Sequence, residues 1–221
     1  AHRRHQHHRL GRCQQALQQV GGLFQRIGAV RDHHAGDAGL RQQALQQAQA
    51  WLADRSTLGA DLRLPVLTAA AQADAPGGGA TLFVQLLGAL QASTVRTERG
   101  DLLAALGQFR QPGLPQQARA VLLQPQIDLR DSLWPLLRAQ VADPDGRAEV
   151  LAFVLREQAA LSARLGREEL PRLPGLFNGA CSSDEARRID AGFAGPMARV
   201  PGGRAALART LEALSARFRI A

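Results

Sequence analysis

The sequence contains no lysine, no tyrosine and no histidine beyond His34, and only two cysteines and one methionine. Each shortage removes a class of chemistry. Without lysine there is no Walker-type phosphate site, and without tyrosine no catalytic phenol. Cys13 and Cys181 are too few for a disulfide framework and are not spaced as metal ligands, so two unpaired thiols are expected. No apolar run approaches the roughly 18–20 residues of a membrane helix. The polar, His- and Arg-rich start lacks the apolar core of a signal peptide. The expectation is a soluble chain without a membrane partner, the cytoplasm being favoured although the sequence does not fix the compartment.

What is present is apolar and arginine-rich. Hydrophobic residues make up 45% of 221, enough for a sizeable core at roughly 1.5–3 kcal/mol per buried Leu, Val or Phe. The formal charge is +8 and every basic residue is arginine. Arginine in place of lysine, beside abundant Ala and Gly, reads as compositional bias rather than a binding signal. Residues 1–40 hold six Arg and two acids, and the remainder 21 Arg and 17 acids, so the larger part is only mildly basic.

The most organised stretch runs from Asp128 to Leu165. Leu129, Leu133, Leu137 and Val141 recur every four residues and share one helical face. Pro135 suggests that this helix starts near Ser132, with the proline in its first turn. Asp143 and Pro144 suit the N-cap and first position of a longer second helix. Val150, Val154, Leu161 and Leu165 line one side of it, with Phe153 beside them and Arg147, Arg156, Glu157 and Arg164 off the stripe. Two such helices cannot cover their apolar faces alone and need neighbours of the same kind.

The rest supplies those neighbours. Asp37 and Asp61 read as caps of helices carrying Leu40, Ala44, Ala48 and Trp51, then Leu62, Val66 and Ala70, with Pro65 near the first turn. After a loop at 74–79 come Phe83, Leu86, Leu87 and Leu90. Thr94 or Thr97 starts a helix with Leu102, Leu106 and Phe109, and a short helix follows with Leu114, Ala118, Val121 and Leu122. Beyond the central pair, Leu170, Leu173, Leu176 and Phe177 suggest a helix interrupted by Pro171 and Pro174. Ser182 and Glu185 form a capping box, and Leu207, Leu211, Leu214 and Phe218 mark the last helix.

No stretch alternates long enough to argue for a strand. Helix pairs begin near Asp61, Thr94 and Asp128, a period that marks stacked helical repeats. The predicted fold is therefore all-α, an α-solenoid of HEAT- or armadillo-like helix pairs, in preference to an irregular bundle. Residues 37–221 are assigned to the helical-repeat domain. Residues 1–36, with all six histidines (His2, His5, His7, His8, His33, His34), form a low-complexity tail or a poorly matching first repeat. The run His2 to His8 has metal affinity without a second shell to fix it.

At this level the chain resembles the C-terminal helical domain of zinc aminopeptidases of the aminopeptidase N and puromycin-sensitive type, specifically the endoplasmic-reticulum-aminopeptidase-like C-terminal domain. The likeness is carried by Trp51-Leu52-Ala53-Asp54-Arg55, by Leu62 to Ala71, and by RGDLLAALGQFR at Arg99 to Arg110 with QPGL after it. Gln126 to Asp131, Gly146 to Gly166 and Ala205 to Ala221 extend it. It covers about residues 40–221 and none of 1–36.

The resemblance implies a catalytic domain elsewhere that holds zinc through two histidines one turn apart and a glutamate. This chain has no His-Glu dipeptide, and His33 and His34 are adjacent and diverge on a helix. The family's Gly-x-Met-Glu-Asn motif is missing, Met197 standing in Gly-Pro-Met-Ala. No catalytic, cofactor-binding or metal residue is therefore assigned here. The implied role is a non-catalytic cover over the active-site chamber that contacts peptide substrate, zinc and hydrolysis belonging to the parent enzyme's catalytic domain, its partner. The alternative is a free-standing HEAT-like scaffold binding protein or nucleic acid. Acids interleaved with Arg after residue 40 argue against nucleic acid. Ser182 and Ser183 have no histidine nearby in sequence, Gly77-Gly78-Gly79 reads as a turn, and Glu168-Glu169 and Asp184-Glu185 fit helix starts. Trp51 and Trp134 are expected to pack between repeats.

Overall fold

A computed structural model describes residues 38–73 and 78–220. Every regular element among them is helical. They fall into two compact units, one of residues 37–166 and one from Arg167 onward. No helix among the described residues is long and apolar enough to cross a membrane.

The first unit contains α1 (Ala38–Ala53), a short 3-10 turn (Arg55–Thr57), α2 (Ala60–Ala71), α3 (Gly78–Ala92) and α4 (Arg96–Leu106). It continues with α5 (Leu114–Val121), α6 (Leu129–Val141), α7 (Pro144–Arg156) and α8 (Gln158–Arg164). Helices α1 and α2 pack as a pair, as do α3 with α4 and α5 with α6. The second members also stack on one another, α2 against α4 and α4 against α6. That order is compatible with the predicted repeat of helix pairs.

Most of the apolar stripes read from the sequence are the core, but Leu40 and Leu62, assigned to them, are 44% and 54% exposed. Trp51, Phe83, Leu86, Leu90, Leu102, Leu106, Phe109, Leu133, Leu137, Val150 and Val154 are all buried. Phe83 and Phe109 meet edge to face at 5.3 Å, the arrangement favoured by the ring quadrupoles. At Gly107 a methyl group would collide with the Leu136 carbonyl oxygen and stand 2.8 Å from the Ala139 methyl. The bare α-carbon is what lets α4 and α6 approach.

Several helix starts differ from expectation. Helix α6 begins at Leu129, because Asp128 Oδ1 accepts the Arg130 N–H at 2.9 Å. Ser132 is buried inside the helix and Pro135 lies mid-helix. Helix α2 is capped by Gly59 without a side-chain bond, with Asp61 in the first turn and Pro65 inside. Helix α4 starts at Arg96 after Val95, so neither Thr94 nor Thr97 caps it. The expected long second helix is divided at Glu157 into α7 and α8. Asp143 does cap α7, its Oδ2 accepting the Gly146 N–H at 2.8 Å, with Pro144 in the first turn. The proposed cap Asp37 lies outside the described residues.

The described part of the second unit is a 3-10 stretch (Leu170–Phe177), α9 (Ser183–Ala198) and α10 (Gly203–Ile220). Pro171 and Pro174 account for the 3-10 geometry where a helix was expected, since each removes an amide donor. Both α9 and α10 pack on this stretch and on each other. Phe177, Ile189, Phe193, Met197 and Leu214 form the core. The capping box is present: Ser182 Oγ accepts the Glu185 N–H at 3.1 Å, and the Glu185 carboxylate accepts the Cys181 N–H at 2.9 Å. Cys181 is disulfide-bonded, which overturns the expectation of a free thiol there.

Candidate functional site

The sequence assigned no site residue, and the structure shows instead where the arginines go. In the first unit they turn inward onto carbonyl groups at helix ends. Arg55 Nη1 donates to Trp51 O at the end of α1, at 2.7 Å. Arg99 Nη1 donates to Leu90 O and Ser93 O at the end of α3, at 2.7 and 3.0 Å. Arg110 spans two helix ends, reaching Gly107 O at 2.9 Å after α4 and Ala139 O at 2.9 Å in the last turn of α6. Arg147 Nη1 takes Val141 O of α6 at 3.0 Å. Arg164 closes the turn after α5, donating to Leu122 O at 2.7 Å, Gln124 O at 3.1 Å and Ile127 O.

The last four carbonyls of a helix have no partner within it, and the macrodipole makes that end negative. A guanidinium answers both needs with up to five donors in a fixed fork. Arg147 and Arg164 were placed off the apolar stripe, but Arg147 is buried together with Val150 and Val154, three and seven positions on and so on the same helical face. It is only 5% exposed, because its charge faces the Val141 carbonyl rather than water.

A second set of arginines ties adjacent pairs through carboxylates. Arg63 of α2 meets Asp101 of α4 at 2.7 Å, with both side chains largely buried. Arg119 of α5 bonds the Gln140 side-chain carbonyl of α6 at 2.8 Å and Glu149 of α7 at 2.7 Å. Arg96 and Asp131 form an exposed equivalent between α4 and α6 at 2.6 Å. Trp51, 1% exposed, lies beneath Arg55 at 4.1 Å and Arg63 at 5.8 Å. Trp134 is half-buried with Arg138 5.6 Å above its ring. Trp51 is packed as expected, whereas Trp134 is only partly covered.

Asp54 shows one resolved shift. Its carboxyl is held below the ordinary value of 3.8 by the Ser56 backbone N–H foremost, and then by the Ser56 hydroxyl. Both donors favour the ionised form, so Asp54 is a turn-forming residue.

In the second unit, a groove of about 380 Å³ runs between α9 and α10. Ala194, Ala198, Leu207, Ala208 and Leu211 form its walls, with Asp190 and Arg204 also on its rim. Sequence reasoning missed it, because small residues on an exposed face carry no periodic signal. Ser182 is occupied by its cap, and Ser183 opens α9 with an exposed side chain. Glu169 pairs with Arg172 at 3.2 Å, and Asp184 pairs with Arg187. Gly78 and Gly79 begin α3, while Gly77 and all six histidines lie outside the described residues. Among the described residues no group of three or more His, Cys, Asp or Glu could hold a metal.

Comparison with known families decides the kinship. The profile of the ERAP1-like C-terminal domain matches residues 25–216. The chain belongs to that family. No curated protein and no solved structure matches it significantly. The match covers both compact units of this ERAP1-like domain and every segment that carried the resemblance as far as residue 216. It begins at residue 25, so the family relationship reaches into the stretch 1–36, where the sequence reading had not traced it. For an ERAP1-like C-terminal domain, the inward arginines have a plain meaning. The first unit holds twelve arginines and twelve acids and so carries no net charge, and several of its arginines are already taken up by carbonyls and carboxylates of the fold.

Proposed function

We propose that this chain is the non-catalytic C-terminal domain of a zinc aminopeptidase. It covers the active-site chamber and contacts the peptide substrate, while hydrolysis belongs to a catalytic domain outside this sequence. The family match over residues 25–216 carries the proposal. The stacking of α2, α4 and α6 supports it, since successive repeats each add a small rotation and generate concave surfaces. The sequence supports it too, for it lacks the His-Glu pair and the tyrosine that the peptidase reaction would require. In this reading zinc is a cofactor of the catalytic partner alone, and arginines on the concave face attract acidic residues or the carboxylate of a bound peptide.

The test is complementation in trans. The catalytic part, identified by an encoded His-Glu-x-x-His motif, is expressed with and without this chain. Cleavage of long peptides is expected to depend on the chain, whereas cleavage of a single-residue aminoacyl amide depends on it much less. Hydrolysis of an aminoacyl substrate by this chain alone, supplemented with zinc, overturns the proposal. Equal dependence for both substrates overturns the covering role.

A further inference from the structure

Asn178 is the only asparagine in the sequence, and Gly179 follows it. It ends the 3-10 stretch of the second unit with its side chain exposed, at φ −58° and ψ −14°. Its own N–H donates to Gly175 O at 3.3 Å, and the Ala180 N–H donates to Phe177 O at 2.9 Å. Between these two bonds the N–H of half-buried Gly179 meets no acceptor among the described residues. Glycine also sets no Cβ beside its own nitrogen, so another group can approach it closely. The nitrogen next to the Asn178 side-chain amide is therefore both open and unengaged.

Asp145 and Gly146 present the same spacing of side-chain carbonyl and glycine nitrogen in the opposite setting. Asp145 is exposed too and Gly146 is half-buried, but both lie in the first turn of α7. There the Gly146 N–H donates to Asp143 Oδ2 at 2.8 Å, which holds in place the proton that an attack by this nitrogen must release. The two pairs differ in that hydrogen bond and in the helical backbone around it, not in exposure.

We propose that Asn178 is a site of spontaneous deamidation and isoaspartate formation, with the Gly179 backbone nitrogen as nucleophile. That nitrogen loses its proton and bonds to Cγ of Asn178. The Cγ–Nδ2 bond breaks, and ammonia leaves with the proton. Water then opens the resulting succinimide ring at either carbonyl, giving aspartate or isoaspartate without any change of oxidation state. In isoaspartate the main chain runs through Cβ and Cγ and is one atom longer. The extra atom falls between Phe177 and Ala180, both fully buried, and breaks the bond that joins them. The proposal is independent of the function proposed above.

Ageing of the full chain at mildly alkaline pH, beside a free peptide of residues 172–180, tests this. Mass spectrometry reads the conversion of amide to acid, and isoaspartate-specific enzymatic methylation reads the rearranged chain. The native turn is expected to react within about tenfold of the peptide, since turns open locally at little cost in free energy. Among the described residues only Gly113 and Gly202 have positive φ, so Gly179→Ala fits the backbone. Its methyl group is expected to slow the reaction by an order of magnitude. Asp145→Asn places an amide before Gly146 in α7, where no isoaspartate is expected over the same period. An unreacted native chain beside a reacted peptide overturns the proposal. Aspartate without isoaspartate, or a rate unmoved by Gly179→Ala, overturns the ring route. Equal reaction in Asp145→Asn overturns the role of the unengaged N–H. A purified isoaspartate form that melts with the fresh chain overturns the break between Phe177 and Ala180.

Discussion

Arg63 and Asp101 stand 38 positions apart in sequence and meet through a single carboxylate oxygen, to which both Nε and Nη2 of the guanidinium come within 2.7 Å. The pair joins α2 to α4 beside Trp51. Removing one partner leaves the other charge buried. Arg63→Met is expected to cost about 3 kcal/mol, within the range for breaking a buried pair. The double change Arg63→Met with Asp101→Leu is expected to recover most of that loss. Urea unfolding midpoints check both, and equal stability of single and double variants would show the pair to be uncoupled.

Arg164 holds three carbonyls of the turn after α5. Arg164→Met is expected to lose about 2–3 kcal/mol, since hydrogen bonds from a charged donor exceed neutral ones. Arg164→Lys should rescue only a minor part, because a compact ammonium cannot reproduce the fork. Full rescue by lysine in thermal melts would mean that charge, rather than geometry, is what the turn requires.

Gly107 and Gly100 offer a contrast on one helix. At Gly107 an added methyl meets the backbone of α6, whereas at Gly100 nothing lies within 4 Å. Gly107→Ala is expected to destabilise by about 1–3 kcal/mol, as forced overpacking does. Gly100→Ala is expected to stabilise by roughly 0.5–1 kcal/mol through helix propensity. Differential scanning calorimetry of the two variants reads both signs at once.

Asp54 gives a pH prediction with a definite sign. Its folded-state pKa lies below the ordinary carboxyl value. Its contribution is therefore present above that ordinary value and is lost as pH falls through the folded one. Carboxyl-carbon NMR is expected to place its midpoint below 3.8, and Ser56→Ala to raise it. Ser56→Ala keeps the backbone N–H, so a midpoint unmoved by it would leave that N–H as the whole cause and remove the hydroxyl from the account.

The legible part of this protein is the part that hydrophobic spacing controls. Leu129, Leu133, Leu137 and Val141 were placed on one buried face by period alone, and all four are buried. The Ser182–Glu185 box and the Asp143–Pro144 start were legible because a cap is a contact between near neighbours in sequence. The misplaced starts of α2 and α4 have the opposite cause: local rules preferred Asp61 and Thr94 or Thr97, but neither start carries a side-chain cap, and a helix begins where its neighbours need it covered, which is a tertiary matter. The start of α6 was a choice between two local caps, Ser132 and Asp128, and Asp128 makes the bond.

By itself, then, the sequence determined the all-helical class, most of the apolar faces and the family, because each is written in residue type and local period. Only the tertiary structure decided what the arginines are for. A guanidinium reaches several ångströms from its backbone, and the carbonyl or carboxylate that satisfies it lies up to 42 residues away. No short-range pattern records a partner so distant. Arg147 and Arg164 therefore read only as residues off an apolar stripe until the helix ends that they close were brought beside them.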